Sequence, residues 1–258
     1  MDRPIGIFDS GVGGTSIWRE IVKMLPGEDT LYLADSANAP YGLRPPEDIL
    51  RLSVKNTEWL IGQGAKIIVV ACNTATTNAI DHLRAHYRLP FIGIEPAIKP
   101  AALRTRTKVV GVLATKGTLS SGLFHNTTKL YGEGIRFLER EGNGLVELIE
   151  AGKADSREAQ ELLEGFLMPM LDQGMDCLVL GCTHYPYLLP VLERLLPKGV
   201  TLIDSGEAVA RQTRAVLERD STLGQDGQGT HTFYGNGDIS VLKGLVDGPH
   251  VSVSFLDF

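Results

Sequence analysis

The sequence predicts an α/β protein made of two similar halves, each with a mainly parallel sheet. Three strand-and-loop segments of the first half recur in the second at offsets of 105 to 110 residues. The matching pairs are IGIFDS (5–10) with VGVLAT (110–115), FIGIEP (91–96) with VTLIDS (200–205), and VVACNT (69–74) with VLGCTH (179–184). A repeat at nearly constant spacing indicates a duplicated unit. We therefore expect two pseudo-symmetric α/β domains that each supply residues to one functional site.

The domain limits follow from the order of the predicted strands. The first domain should comprise residues 1–96 and 207–258, and the second residues 97–206. The first domain is discontinuous in this scheme because segments 230–234 and 250–255 resemble strands that return to the first sheet.

The composition excludes several classes of protein. The chain has 258 residues, of which 43% are hydrophobic, a net charge of −6 and a pI of about 5.5. No basic patch with interleaved aromatic residues occurs in the sequence, so nucleic acid is not expected as a partner. No apolar segment approaches the roughly 20 residues of a membrane span, and the N-terminus lacks a signal-peptide pattern. We expect a cytoplasmic protein without a membrane partner.

The three cysteines, Cys72, Cys177 and Cys182, form an odd set without a CxxC motif. This pattern argues against a disulfide framework and a structural zinc site, and no metal site is predicted. Cys177 lies inside an apolar segment and is most simply a small buried hydrophobic residue.

The first half opens with a strand at Ile5–Phe8 and the glycine-rich loop DSGVGG at 9–14. The loop is neither GxGxxG nor GxxxxGK[ST], so it does not indicate a nucleotide site. Its glycines allow backbone N–H groups to face a small anion beside the following helix, although a plain tight turn explains the same residues.

A second strand, 30–34, precedes the segment ANAPYGLRPP at 37–46. Three prolines and a glycine predict that this segment has no regular structure before a helix at 48–62. Open α/β sheets bind ligands at the carboxyl ends of their strands, which makes Tyr41 and Gly42 candidates for ligand contact. The next strand, 66–71, ends at Cys72, and a further strand is expected at 91–94.

The second half repeats this order. Strands are predicted at 108–113, 135–138, 177–180 and 200–203, with helical segments at 145–150, within 155–172 and at 207–218. Apolar residues at helical spacing from 188 to 196 predict that Cys182, like Cys72, lies where a strand is followed by a helix.

Two cysteines that each end a strand before a helix, Cys72 and Cys182, suggest proton transfer by a pair of thiols. A thiol becomes a base or nucleophile when its pKa falls below about 8.5, as happens at helix N-termini and beside cationic groups. One reactive cysteine would suggest acyl transfer. Two related by pseudo-symmetry suggest that one removes a proton from a stereocentre and the other returns a proton to the opposite face. Asp9 and His184 are candidate helpers, and Glu150 is an ordinary helix carboxylate on this pattern alone.

The motifs also resemble a known family. DSGVGG (9–14), LADSANAPYG (33–42), ACNTAT (71–76), LATKGT (113–118), LIEAGK (148–153) and GCTHYP (181–186) are similar to those of the glutamate racemases in the aspartate/glutamate racemase family. The resemblance implies two similar α/β domains with the active site in the cleft between them. It also implies interconversion of L- and D-glutamate for peptidoglycan, without a cofactor or a metal. It leaves a homodimer open.

The resemblance also implies roles for particular residues. Cys72 and Cys182 match the two catalytic cysteines, and Asp9, Glu150 and His184 match residues that assist them. Asp9 and His184 also count among the substrate-binding positions, together with Ser10, Tyr41, Gly42, Asn73, Thr74, Thr118 and Thr183.

Three other functions stay open from the residues. A racemase for another amino acid, chiefly aspartate, would share these motifs. A cleft-type amino-acid-binding protein would bind glutamate without exchanging its α-proton. A redox sensor would join Cys72 to Cys182, although facing thiols with a substrate between them should exceed the Cα separation of about 7 Å that a disulfide allows.

Overall fold

Parallel strands organise the fold of the computed structural model, which describes residues 3–224 and 227–258. In chain order the strands are β1 Ile5–Asp9, β2 Thr30–Ala34, β3 Ile67–Val70, β4 Phe91–Gly93, β5 Val109–Ala114, β6 Arg136–Glu141, β7 Cys177–Gly181, β8 Thr201–Ile203, β9 His231–Gly235 and β10 Val251–Phe255. They form one sheet of order β10-β9-β2-β1-β3-β4 and another of order β6-β5-β7-β8. Every pairing is parallel, which confirms the predicted fold class.

The helices connect and cover these strands. They are α1 Thr15–Met24, α2 Pro46–Gly62, α3 Asn73–His86, α4 Ile98–Arg104, α5 Lys116–Leu119, α6 Gly122–Tyr131, α7 Leu145–Glu150, α8 Arg157–Leu171, α9 Leu189–Leu195, α10 Gly206–Arg219 and α11 Ser240–Leu245. Within the described residues, none of them combines the length and the apolarity that crossing a membrane requires.

The tail of the chain completes the first sheet. Strand β9 pairs with β2, and β10 lies outside it at the edge, so the two late segments are strands of the first sheet. The inner face carries Phe233, whose ring packs edge-to-face on Trp18 with centroids 4.8 Å apart. The domain limits after residues 96 and 206 stay a prediction.

One hydrophobic core joins the two halves. Ile5 and Val69 from the first sheet belong to the same buried cluster as Leu178 from the second and Tyr185 beyond it. Apolar area shared by both sheets fixes their carboxyl ends against each other, because separating the halves would return that area to water.

One local prediction was wrong. The segment 37–46 is not wholly irregular: single 3₁₀ turns occupy Ser36–Asn38 and Tyr41–Leu43, and Pro46 begins α2. Proline suits that position because the first helical residues need no N–H partner within the helix. After β7 a 3₁₀ turn at Tyr185–Leu188 precedes α9, which lies within the predicted helical segment 188–196.

Candidate active site

Strand register brings the predicted residues to one edge of each sheet. In the first sheet Phe8 pairs with Val70, so Asp9 and Ser10 lie beside Cys72. In the second sheet Ala114 pairs with Gly181, so Thr115 lies beside Cys182. The carboxyl ends of both sheets therefore present a cysteine and a polar residue to the same space.

Cys72 is the N-cap of α3. Its Sγ accepts a hydrogen bond from the backbone N–H of Ala75 at 3.4 Å, and the thiol donates to Ser10 Oγ at 3.7 Å. Burial raises the pKa of this thiol well above its usual value, and the nearby negative charge of Asp9 raises it further. Desolvation therefore outweighs the lowering effect of the Ala75 N–H donor at the helix terminus.

Asp9 is fully buried at the end of β1. Its Oδ2 accepts hydrogen bonds from Gly14 N at 2.8 Å and Gly11 N at 3.3 Å, and its Oδ1 accepts one from Thr183 Oγ1 at 3.4 Å. Burial raises the pKa of Asp9 against the lowering effects of the His184 charge and the Gly14 N–H. The glycine-rich loop thus holds this carboxyl group rather than a free anion.

His184 links Cys182 to Glu150. Its Nδ1 lies 3.7 Å from Cys182 Sγ, and its Nε2 lies 2.6 Å from Glu150 Oε1. Burial alone would lower the pKa of His184, but its hydrogen bonds to Cys182 and Glu150 raise it well above the usual value. The raised pKa favours the protonated imidazole, in which both ring nitrogens can donate, one to the sulfur and the other to the carboxylate.

Glu150 reaches the site from the C-terminus of α7. Besides His184, it accepts hydrogen bonds from Val12 N at 2.6 Å and Ser36 Oγ at 3.0 Å. Burial would raise the pKa of Glu150, but these bonds and the His184 charge hold the pKa below its usual value. Val12 and Ser36 lie in loops after β1 and β2, so one carboxylate fastens the second half of the molecule to the first.

Two glycines of the DSGVGG loop make this approach possible. A Cβ at Gly11 would lie 1.9 Å from Glu150 Oε1, and one at Gly13 would lie 2.1 Å from His184 Nδ1. Only a residue without a side chain fits at either position.

A small cavity lies between the two sheets and contains both cysteines in its wall. The predicted residues lining it are Ser10, Tyr41, Gly42, Cys72, Asn73, Thr74, Cys182, Thr183 and His184. Pro40, Thr115 and Val146 complete the wall. The remaining predicted residues lie just behind it: Asp9 and Glu150 contact lining residues, and the Thr118 hydroxyl lies 3.0 Å from that of Thr115.

Some of these polar groups are already engaged and others are not. The Tyr41 hydroxyl donates to Asp35 Oδ2 at 2.5 Å and accepts from Asn56 Nδ2 at 3.2 Å, so only the ring and main chain of Tyr41 face the cavity. Asn73 is buried, and neither polar atom of its side chain has a hydrogen-bond partner within the described residues. This makes the Asn73 amide a candidate to bind a polar ligand in the cavity.

Sequence reasoning missed four residues of this site: Ser36, Pro40, Thr115 and Val146. Thr115 had a usable signal, because it occupies the position in the second half that Ser10 occupies in the first, and Ser36 and Pro40 lie within the motif LADSANAPYG. Val146 carried none, since its place in the wall depends on how α7 packs against the first half. The remaining cysteine, Cys177, is buried within β7 away from the cavity wall, as expected.

Comparison with known proteins gives the class of this chain. The sequence profile of the family described as Asp/Glu/Hydantoin racemase matches residues 5–213. The chain therefore belongs to this family, and it is an isomerase of the racemase type.

Within the family, the chain is similar over nearly its whole length to glutamate racemases. It is 47% identical to the glutamate racemase of Ectopseudomonas mendocina, over 94% of this chain and 93% of that protein. The structure of glutamate racemase RacE1 from Bacillus anthracis matches with a TM-score of 0.87 and 29% identity, covering 99% of this chain and 97% of that one. Escherichia coli glutamate racemase, solved with L-glutamate and the activator UDP-MurNAc-ala, matches with a TM-score of 0.85 and 32% identity, covering 98% of each chain.

Proposed function

We propose that this chain interconverts L- and D-glutamate by moving the α-proton between two cysteines, without a cofactor. The observation that carries the proposal is that Cys72 and Cys182, from opposite sheets, line one small cavity. Glutamate between them would present one face of its α-carbon to each sulfur. The close similarity to glutamate racemases over nearly the full length of the chain supports glutamate as the substrate.

The two thiols have different surroundings in this proposal. Burial favours the neutral thiol at Cys72, whereas the His184 imidazole lies 3.7 Å from Cys182 Sγ. The Cys182 thiolate takes the α-proton, so that a C–H bond breaks and an S–H bond forms. Cys72 then gives its proton to the opposite face of the carbanion and becomes the thiolate. The reverse reaction exchanges these roles.

Hydrogen-bond donors in the cavity wall must stabilise the carbanion, because no cofactor spreads its charge. The unpartnered Asn73 amide, the Ser10 hydroxyl and the linked hydroxyls of Thr74 and Thr115, 2.8 Å apart, supply such donors from both halves of the molecule. Preorganised donors in a site closed to water stabilise developing negative charge much better than water does. Tyr41, Gly42, Thr118 and Thr183 complete the proposed substrate site.

The biological context follows from the same proposal. We infer that the product D-glutamate enters peptidoglycan synthesis and that the protein acts in the cytoplasm. A homodimer stays a prediction. The residues that line the cavity all belong to this chain.

The test is incubation of the purified protein with L-glutamate in D₂O without added cofactor. We expect the optical rotation and the α-proton NMR signal to disappear together, and the same result from D-glutamate. Loss of both signals with aspartate as the substrate, and not with glutamate, would indicate an aspartate racemase. Binding of glutamate with no exchange of its α-proton would overturn the proposal in favour of an amino-acid-binding protein.

A further inference from the structure

The C-terminal segment has no role in the chemistry described so far, yet one of its residues contacts the loop that enters the site. Asn236 follows β9 directly. Its Nδ2 donates to Asp35 Oδ1 at 2.5 Å, its Oδ1 accepts from Ala37 N at 3.0 Å, and its own N–H donates to Ala34 O at 3.3 Å. Asn236 therefore binds the end of β2 and the start of the following loop through three separate groups.

Asp35 gathers donors from three parts of the chain. Its carboxylate is completely buried. It accepts hydrogen bonds from the Tyr41 hydroxyl at 2.5 Å, Asn38 Nδ2 at 2.8 Å and Lys55 Nζ at 3.4 Å, in addition to the bond from Asn236. A buried carboxylate is costly unless it is fully paired, so these donors hold one another in place through it.

The segment that these bonds fix, Asp35–Leu43, is here called the substrate loop. Tyr41 and Gly42 in this loop form part of the cavity wall. Ser36 in the same loop donates to Glu150, which in turn pairs with His184 beside Cys182. Movement of the loop would thus disturb the cavity wall and the charge pair next to one of the two thiols.

We propose that Asn236 and Asp35 are positioning residues, through which the C-terminal segment holds the substrate loop in the geometry that racemisation needs. The inference rests on the proposed function for its kinetic consequences. Its structural consequence, the order of the substrate loop in the free protein, does not depend on which substrate the site binds.

The decisive variant is Asn236→Ala, measured by hydrogen exchange of the peptide covering residues 36–44 and by steady-state kinetics. We expect exchange in this peptide to accelerate at least about tenfold, because the variant loses two side-chain hydrogen bonds and the one to the Asp35 carboxylate alone accounts for a factor of that size. The kcat/KM for glutamate should fall by a similar factor, mostly through a higher KM, because the cavity wall loses its position. Exchange in peptides of the second sheet should not change.

Asn126→Ala is the matched control, since it makes the same substitution on the exposed surface of α6. It should alter neither the exchange of the substrate loop nor the kinetics. Faster loop exchange in Asn236→Ala with unchanged kinetics would overturn the proposal, and so would slower catalysis without a change in the loop.

Tyr41→Phe keeps the proposal testable if Asn236→Ala does not fold. It removes one donor to Asp35 and keeps the ring in the cavity wall, so we expect faster exchange of the substrate loop and a raised KM. No change in either would overturn the proposal. Failure of the wild-type protein to racemise glutamate would instead count against the proposed function, and the exchange measurement would still decide the role of Asn236.

Discussion

The two cysteines occupy equivalent places in the duplicated fold, but their surroundings differ. Cys72 caps a helix of 14 residues, touches Ser10 and lies near the buried Asp9. Cys182 precedes a 3₁₀ turn and lies beside His184, which Glu150 holds from behind. The repeat has kept the position of the sulfur and has changed its acid–base partner.

This difference has a chemical use in the proposed reaction. Two thiols with identical surroundings would have equal affinities for a proton, whereas the reaction needs one thiolate and one thiol in every complex. In the proposed reaction, the burial that raises the Cys72 pKa and the His184 imidazole beside Cys182 provide that asymmetry. The backbone is pseudo-symmetric, and the acid–base surroundings of the two sulfurs are not.

The largest effect should come from Cys72→Ser and Cys182→Ser. Each should lower racemisation by about 10² to 10⁴-fold, the usual contribution of one acid–base group. The enantiomers have equal free energy, so kcat/KM must fall equally in the two directions of racemisation. The roles of the two cysteines can therefore be distinguished only by α-proton exchange that occurs without inversion. In D₂O each variant should exchange the α-proton of one enantiomer, and the two variants should act on opposite enantiomers.

Cys177→Ser is the matched control, because it makes the same change inside β7 and outside the cavity wall. It should retain racemisation. If both site variants exchanged the same enantiomer, or if one racemised at the normal rate, the assignment of one face to each cysteine would be wrong.

The next effect should come from Gly13→Ala, which disturbs only the Cys182 side. The new Cβ would lie 2.1 Å from His184 Nδ1, so the imidazole must move away from the sulfur. We expect racemisation to fall by about 10²-fold, as small misplacements of catalytic groups commonly cause.

Gly62→Ala provides the comparison, because nothing lies within 4 Å of its Cβ at the end of α2. It should keep its activity and unfold at a slightly higher temperature, since alanine reduces the entropy of the unfolded chain. Normal activity in Gly13→Ala would show that His184 is not held against Cys182 during catalysis.

Glu150→Gln should have the smallest effect on rate, about tenfold, together with a shift in pH dependence. Without the carboxylate the pKa of His184 falls, so the imidazolium is lost at lower pH. The alkaline limb of the kcat profile should therefore move to lower pH. If the alkaline limb did not move, or moved to higher pH, Glu150 would not be the group that raises the pKa of His184 beside Cys182.

The same pair affects stability within a defined pH window. Glu150 has a lowered pKa, so its contribution is present above about pH 4.3 and is lost as pH falls through its folded value. His184 has a raised pKa, so its contribution is complete below about pH 6.5 and is lost as pH rises through its folded value. In urea unfolding, the free energy of unfolding of Glu150→Gln should fall furthest below that of the wild type near pH 5 to 6. The difference should be smaller at higher pH.

Much of the fold follows from local patterns in the sequence. Short apolar segments ending at polar or glycine residues locate the strands around Phe8, Val70 and Leu180, and the constant spacing of these segments reveals the duplication. Where prediction was wrong, as at Pro46, the error concerned where a helix begins, which depends on contacts at its first turn.

The sequence by itself determined that two cysteines end equivalent strands, because strand periodicity and repeat spacing are properties of neighbouring residues. Only the tertiary structure decided which groups surround them. Glu150 meets Val12 across 138 positions, and Asn236 meets Asp35 across 201. The raised pKa of Cys72 likewise comes from burial by distant elements and not from its own motif. Hydrogen bonds and desolvation act over a few ångströms of space, whereas sequence spacing describes distance only along the chain.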